Sequence, residues 1–362
     1  VGQPHGIGIV GLGVISAQYL ETLGDHPAVR IAAAADLDPA RARAVADRFP
    51  GCRAVTVDEL LADPGVDTVL NLTIPAAHAE IALAALAAGR DVFGEKPLAA
   101  TFADARGILD AADAAWVGCA PDTVLGTGVQ TARAAVDGGL IGRPVAAVAT
   151  WVSPGHEAWH SHPDFYYREG GGPLLDMGPY YLTTLFHLLG PVARVSGASS
   201  RPRDTRTIAS GSRAGEVIPV EIDTHVTGVL EHVGGAVSTV TFSFDGAATD
   251  AAPIEVHGET GTLSVPDPNL FEGDVRVRRP GETEWSAVTE RAGYQNAGRG
   301  IGILDRVATG SDRVDAGIAL HILEVMTALQ ESARTGARLE LTTRPERPAV
   351  VPFAPEHTWR SR

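Results

Sequence analysis

One lysine stands among the 29 lysines and arginines of these 362 residues. Every other fixed cation is therefore a guanidinium. On a solvated surface arginine replaces lysine at little cost, but it cannot serve where a compact ammonium with a movable pKa is needed. Lys96, in GEKPLA (94–99), is thus a first candidate for chemistry. Cysteine is almost as scarce. Cys52 and Cys119 are too few for a disulfide framework or a cysteine-based metal cluster, and Cys119 reads as a small buried hydrophobe. No run of 18 apolar residues occurs, so no membrane span is expected. No signal peptide is visible, which makes a cytoplasmic location the expectation. Positive charge is in deficit: the formal net charge is −15. Nucleic acids and anionic membranes need a cationic footprint, so neither is expected as a partner. Internal repeats and low-complexity tracts are also lacking.

The length favours two domains. In the first third, apolar strand-like runs alternate with helix-period segments: GIGIVG (6–11), a helix over 14–23, VRIAAAAD (29–36), a helix over 39–49, DTVLNLT (67–73), a helix over 77–89, DVFG (91–94), a helix from Thr101, and WVGCA (116–120). This order predicts a parallel sheet with helices on both faces, an α/β domain over 1–121. Beyond it, after a helix over 125–139, the runs 145–152, 221–232, 236–245, 254–258 and 261–265 are β-branched and mostly joined without helices. They predict an α+β domain over 122–362 with a large, mostly antiparallel, open-faced sheet. The segment 201–216 reads as a polar loop with solvated arginines. Ile318, Ile322, Val325 and Leu329 recur at helical spacing, which puts Met326 in the core. His321, on that helix, reads as structural or interfacial.

GLGVIS (11–16) follows the first strand and opens the first helix. Gly11 permits the tight turn and Gly13 lets a pyrophosphate approach the backbone at the helix N-terminus. Ser16 takes the third position, which need only be small. Val14 and Ile15 complete the turn. Asp36 ends the second strand, where a carboxylate can bond an adenosine ribose and repel a 2′-phosphate; its alternative is a helix N-terminal acid beside Asp38 and Pro39. Leu37 follows it, so no cation is adjacent in sequence. A Rossmann domain binding NAD in preference to NADP is the expectation. Thr73, Pro75 and His78 lie after the next strand at the same sheet edge, and Glu95 and Lys96 after the one beyond. All are expected beside the cofactor. Pro97 allows a tight, even cis, turn that aims Lys96 at a ligand.

GLGVIS, TIPAAH (73–78), GEKPLA and GGGPLLDMGPYY (170–181) stand in the order and spacing of the glucose–fructose oxidoreductase/inositol dehydrogenase (Gfo/Idh/MocA) family, which the chain resembles over nearly its whole length. The resemblance implies a Rossmann domain followed by an open-sheet domain for substrate binding and oligomerisation, in a homodimer or homotetramer. It also implies oxidation or reduction at a hydroxyl-bearing carbon of a sugar, sugar derivative or cyclitol. Lys96 matches the lysine of the family's E-K-P motif, and Asp176 the aspartate of its D-x-G-x-H motif. Here that motif reads DMGPY, with Tyr180 where many members have histidine and some branches tyrosine.

Removing a hydride from a C–OH carbon requires a base for the hydroxyl proton. A phenol serves poorly near neutral pH unless a cation lies beside it. The catalytic expectation is that Tyr180 exchanges the proton, Lys96 polarises the substrate oxygen and tunes the phenol, and Asp176 orients substrate or lysine; in the competing assignment Lys96 is itself the acid/base. On one helix, Asp176 and Tyr180 share a face. Substrate contacts are also expected from Asp122, His156, His160, Tyr166 and Arg168, the last four in an aromatic, histidine-rich stretch (151–172). His160 and His162 form an H-x-H, but no carboxylate or cysteine at ligand spacing joins them, so no metal is expected. Two rivals stand beside a sugar or cyclitol dehydrogenase: a non-catalytic dinucleotide-binding regulator, and an NADPH-dependent reductase of non-sugar carbonyls.

Overall fold

The structure is a computed structural model describing residues 3–361. β1 (His5–Val10) and β2 (Val29–Ala35) are buried along nearly their whole length, as strands covered on both faces must be. Between them lies α1 (Ser16–Leu23), and α2 (Pro39–Arg48) follows, started by the Asp38 carboxylate and by proline at its first turn. β3 (Arg53–Ala54), α3 (Val57–Ala62), β4 (Thr68–Asn71), α4 (Pro75–Ala87), β5 (Asp91–Gly94), α5 (Phe102–Ala111) and β6 (Val117–Cys119) continue the alternation. The six strands pair in parallel in the order β3-β2-β1-β4-β5-β6. This is the dinucleotide-binding order, in which ligands lie beyond the carboxyl ends of the strands where the order reverses, here between β1 and β4.

The chain divides into two compact units. The first holds the residues up to Thr127 and also 292–320 and 348–362. These late returns carry no boundary signal in the sequence. One of them is fastened to the end of β6. Asp122, just after β6, is fully buried and accepts the N–H groups of Gly300 (2.7 Å) and Gly302 (3.1 Å).

The second unit covers 128–291 and 321–347. After α6 (Thr127–Asp137) come β7 (Pro144–Val152), α7 (Pro173–Leu189), β8 (Val192–Ser200), β9 (Thr205–Thr207), β10 (Val217–Pro219), β11 (His225–His232), β12 (Val237–Ser243), β13 (Ile254–Gly258), β14 (Thr262–Val265), β15 (Arg276–Arg278) and β16 (Ser286–Ala287). α8 (Ile301–Thr309) belongs to the first unit, the partition falls inside α9 (Ala316–Thr335), and β17 (Leu339–Glu340) and α10 (Glu356–Trp359) close the chain. Nine strands form one sheet in the order β16-β15-β14-β13-β7-β12-β11-β8-β17. Every pairing is antiparallel except β12 with β7, so the expected α+β architecture is realised as a mixed sheet. α7 packs on β7, β11 and β12 and buries almost all of its length. Met326 on α9 is buried, as its spacing predicts.

The segment 201–216 corrects the sequence reading. It contains β9, which pairs with β10, and its Arg206 is buried. The guanidinium donates to the carbonyls of Pro154 and Phe244 (3.1 Å each), to Glu157 (2.9 Å) and to Asp245 (2.5 Å). Arg201 and Arg203 are exposed, as the reading expects; Arg206 is the arginine of the run that is buried, and no local pattern distinguishes it from the solvated ones. Removing one member of a buried ion cluster leaves the others uncompensated, which typically costs about 3–5 kcal/mol. Arg206→Met should therefore lower the urea midpoint markedly; an unchanged midpoint would show that Glu157 and Asp245 do not depend on it.

Candidate active site

Two sets of side chains, one in each unit, hold the residues expected to act. In the first unit the β1–α1 turn is shaped by Gly11, whose φ is +91° and whose hypothetical Cβ would lie 2.7 Å from the Leu72 carbonyl. No L side chain fits there. A Cβ on Gly13, by contrast, would meet nothing within 4 Å. Asp36 fastens this turn: its carboxylate accepts the N–H of Leu12 (2.6 Å) and of Asp38 (2.8 Å). Ser16 donates to the Gly13 carbonyl at 2.7 Å, so the residue in the third glycine position bonds within the turn.

No side chain caps α1 or α4, both of which begin at this sheet edge. Around them, large apolar side chains are exposed: Val14 (94%), Leu37 (105%) and Ile74 (70%). An open glycine cradle, an uncapped helix N-terminus and apolar walls fit a dinucleotide: the turn would take the pyrophosphate and the walls the rings. A carboxylate has about four acceptor positions, so Asp36 can serve both the turn and a ribose. Leu37 is its neighbour in sequence, but Arg41, one helical turn on, lies 3.9 Å away.

The lysine turn sits at the same edge, after β5. Glu95, expected beside the cofactor, is instead turned inward. Its carboxylate accepts the Tyr19 hydroxyl (2.8 Å) and the Lys96 N–H (3.0 Å) and lies 3.7 Å from Arg299, which also donates to Gln18 (3.0 Å). Burial, then the adjacent Glu95 carboxylate, raises the Tyr19 pKa well above that of a free phenol, so Tyr19 remains a donor. His78 corrects a second expectation. It is buried, and its ring nitrogens face the carbonyls of Pro97 (2.7 Å) and Thr73 (3.0 Å). It thus clasps the turns after β4 and β5 together. Asn71 supports the clasp by donating to the His78 carbonyl (3.0 Å) and accepting from the Thr73 hydroxyl (2.7 Å). Pro75 opens α4 and is exposed. Lys96 itself is partly buried, and the Lys96–Pro97 peptide is cis. Tyr19 and Arg299 escaped sequence reasoning because their partners are remote in the chain; Asn71, whose named partners lie only two and seven residues on, read simply as part of a strand.

Asp122 also changes role. Expected at the substrate, it is fully buried beneath the start of α8, and one carboxylate oxygen has no hydrogen-bond partner. Burial outweighs the Arg299 charge and the two backbone donors and pushes its carboxyl up to about 6.

In the second unit α7 carries both Asp176 and Tyr180, one turn apart as expected. Tyr180 is buried at 4% exposure; its neighbour Tyr181 faces Asp267 at 3.4 Å. His156 donates from Nε2 to Asp176 Oδ2 at 2.8 Å. Around it stand Tyr166 and Trp159, with ring centroids 4.2 and 5.1 Å from the imidazole. His160 packs edge-on to Trp159, Phe165 and Tyr166 and accepts the His162 N–H at 3.0 Å. Arg168 is apart from this group, exposed and 4.0 Å from Glu221. Among the described residues no cluster of His, Cys, Asp or Glu is arranged to hold a metal ion. Likewise, no helix there is long and apolar enough to cross a membrane.

Comparison with known proteins matches this division. Residues 5–122 match the profile of the oxidoreductase family with an NAD-binding Rossmann fold, and residues 129–264 that of the GFO/IDH/MocA C-terminal domain. The chain belongs to the Gfo/Idh/MocA family. It is an oxidoreductase. Its relatives include a dTDP-3,4-didehydro-2,6-dideoxy-alpha-D-glucose 3-reductase of Streptomyces violaceoruber, 30% identical over 90% of this chain and 95% of the relative. Another is a D-xylose 1-dehydrogenase (NADP(+)) of Haloferax volcanii, 28% identical over 92% of this chain and 98% of the relative. An NAD-binding oxidoreductase from Klebsiella pneumoniae shares the fold with a TM-score of 0.78 at 24% identity, covering 94% of this chain and all of that one.

Gly13→Val should leave the urea midpoint near wild type yet weaken NADH binding at least tenfold, read by fluorescence titration. Gly11→Ala should lower the midpoint itself, because its methyl group meets backbone; the reverse pattern would refute the cradle. For Asp122, the folded carboxyl keeps its proton to about pH 6, against the ordinary 3.8. Its contribution to stability is therefore full below pH 4 and lost as pH rises through 6, an effect of about 3 kcal/mol. Between pH 4 and 7 the wild type should lose stability relative to Asp122→Asn in urea unfolding; parallel pH profiles would contradict this.

Proposed function

We propose that this Gfo/Idh/MocA oxidoreductase interconverts a hydroxyl-bearing carbon of a sugar, sugar derivative or cyclitol and its carbonyl, with NAD as the preferred cofactor. The observation that carries the reading is the placement of Lys96: the one lysine of the chain stands at the sheet edge where the glycine turn opens, on a turn held by Glu95 and His78. The sugar-acting names of the two relatives support the substrate class.

When bound, the nicotinamide supplies hydride acceptance or donation at its ring. The chain's residues handle the proton and the oxygen. In the oxidative direction the carbon loses a hydride, the hydroxyl loses a proton and a C=O bond forms. Lys96 places an ammonium on the substrate oxygen and stabilises the charge that grows there. Tyr180 takes the hydroxyl proton in this assignment and Asp176 orients the reacting group. His160, Tyr166 and the exposed Trp159 offer ring faces and hydrogen bonds to a polyol. The neighbouring Arg41 favours a second reading in which NADP is also accepted, since a guanidinium 3.9 Å from Asp36 is placed to pair with a 2′-phosphate. Cytoplasmic residence and a homodimer or homotetramer complete the proposal. Val148, Thr239 and Val229 stand side by side in register across β7, β12 and β11, with both valines exposed, an aliphatic row suited to a second copy.

The deciding assay follows absorbance at 340 nm with NAD or NADP and D-xylose, D-glucose or myo-inositol. Turnover should fall about 10²- to 10⁴-fold in Lys96→Met, and Arg41→Ala should weaken NADPH binding more than NADH binding. Undiminished turnover by Lys96→Met would end the mechanism. Cofactor binding without turnover of any panel compound would favour the regulator. Light scattering should give twice or four times the chain mass; a monomer would remove the assembly.

A further inference from the structure

Asp176 is held by a side chain that arrives from another segment. His156, 20 residues earlier, donates from Nε2 to Asp176 Oδ2 at 2.8 Å, with side chains only 9% and 17% exposed. The imidazole has little freedom. Trp151, Trp159, Tyr166 and Phe244 surround it, with centroids 4.2–6.1 Å away. Its Nδ1 is buried and accepts no hydrogen bond, so its one polar engagement is the carboxylate. Its backbone is fixed too: the His156 N–H donates to the Tyr167 hydroxyl (3.2 Å), which in turn donates to Glu157, and Glu157 is paired with the buried Arg206. A carboxylate on a helix surface samples several rotamers; one whose oxygen is tied to a caged imidazole is held to a single orientation.

We propose that His156 is a positioning residue that orients the Asp176 carboxylate for the reaction, itself set in place by the Arg206–Glu157–Tyr167 network. The inference rests on the assignment of Asp176 to the reacting group made above. No bond is made or broken at His156. Its effect is on the geometry in which the carboxylate meets the substrate, and misplacement by about 1 Å can cost on the order of 100-fold in rate. Because the effect concerns orientation, it belongs in kcat rather than KM.

The test uses the full chain, NAD or NADP, and whichever of D-xylose, D-glucose or myo-inositol turns over fastest. His156→Phe keeps a ring in the cage but cannot donate; His156→Gln restores an N–H close to Nε2. The Phe variant should lose at least tenfold in kcat, with KM for the polyol and affinity for NADH each within threefold of wild type. The Gln variant should recover most of kcat. In an Asp176→Asn background His156→Phe should add little, because the two act as one unit. Wild-type kcat in His156→Phe, or equal losses in Phe and Gln, would overturn the positioning role while leaving Asp176 in place. Wild-type turnover by Asp176→Asn would instead overturn the assignment beneath it. Should His156→Phe fail to fold, or no panel compound react, imidazole NMR of the wild type decides the pairing. A His156 Nε2–H resonance that Asp176→Asn shifts or abolishes is expected; its indifference to that change would sink the proposal.

Discussion

One buried carboxylate organises the region around the lysine. Glu95 receives the hydroxyl of Tyr19 from α1 and the N–H of Lys96 from its own turn, and it lies beside the guanidinium of Arg299 on a segment that returns from more than 200 residues later. A buried charge is tolerated only when hydrogen bonds and an opposite charge compensate it. Here that compensation gathers the first helix, the lysine turn and the returning segment in one place. His78 draws in the turn after β4 through two carbonyls. The lysine backbone is thereby fixed from beneath by groups that need touch neither cofactor nor substrate.

The second unit repeats the device with the sign reversed. Arg206 is a buried cation, compensated by Glu157, Asp245 and two carbonyls, and the loop that carries His156 is anchored through Glu157. The aromatic side chains of 151–168 thus adjoin a polar network: Trp159 and Phe165 are exposed and Trp151 and Tyr166 half-buried, while Tyr167 is buried beside the ions and bonds Glu157. A loop without such a base would be free to sample many conformations.

The dinucleotide edge shows a different economy of parts. Asp36, read as a ribose ligand, also ties the glycine turn to the end of β2 through two backbone N–H groups. The two roles are compatible because an ionised carboxylate accepts several bonds at once. Val14, Leu37 and Ile74 stand exposed at this edge, an apolar surface that would suit the rings of a bound dinucleotide.

The sequence alone determined the alternation of strand and helix, the glycine turn with its acid, the lysine motif, and the helical pairing of Asp176 with Tyr180. Each depends on neighbours a few residues apart, where periodicity and turn chemistry act directly. It also ordered the motifs that mark the family. Tertiary structure decided what lies between distant segments: that Asp122 braces α8, that Glu95 and His78 face inward, that Arg206 is buried, that Arg41 approaches Asp36, and that His156 reaches Asp176. It also revealed β8, whose glycine and serines weaken its strand signal but which is held by β11 and β17 on either side. Hydrogen bonds and ion pairs across such separations leave no period in the chain, because loop closure lets any two segments meet and only the packed fold selects which do.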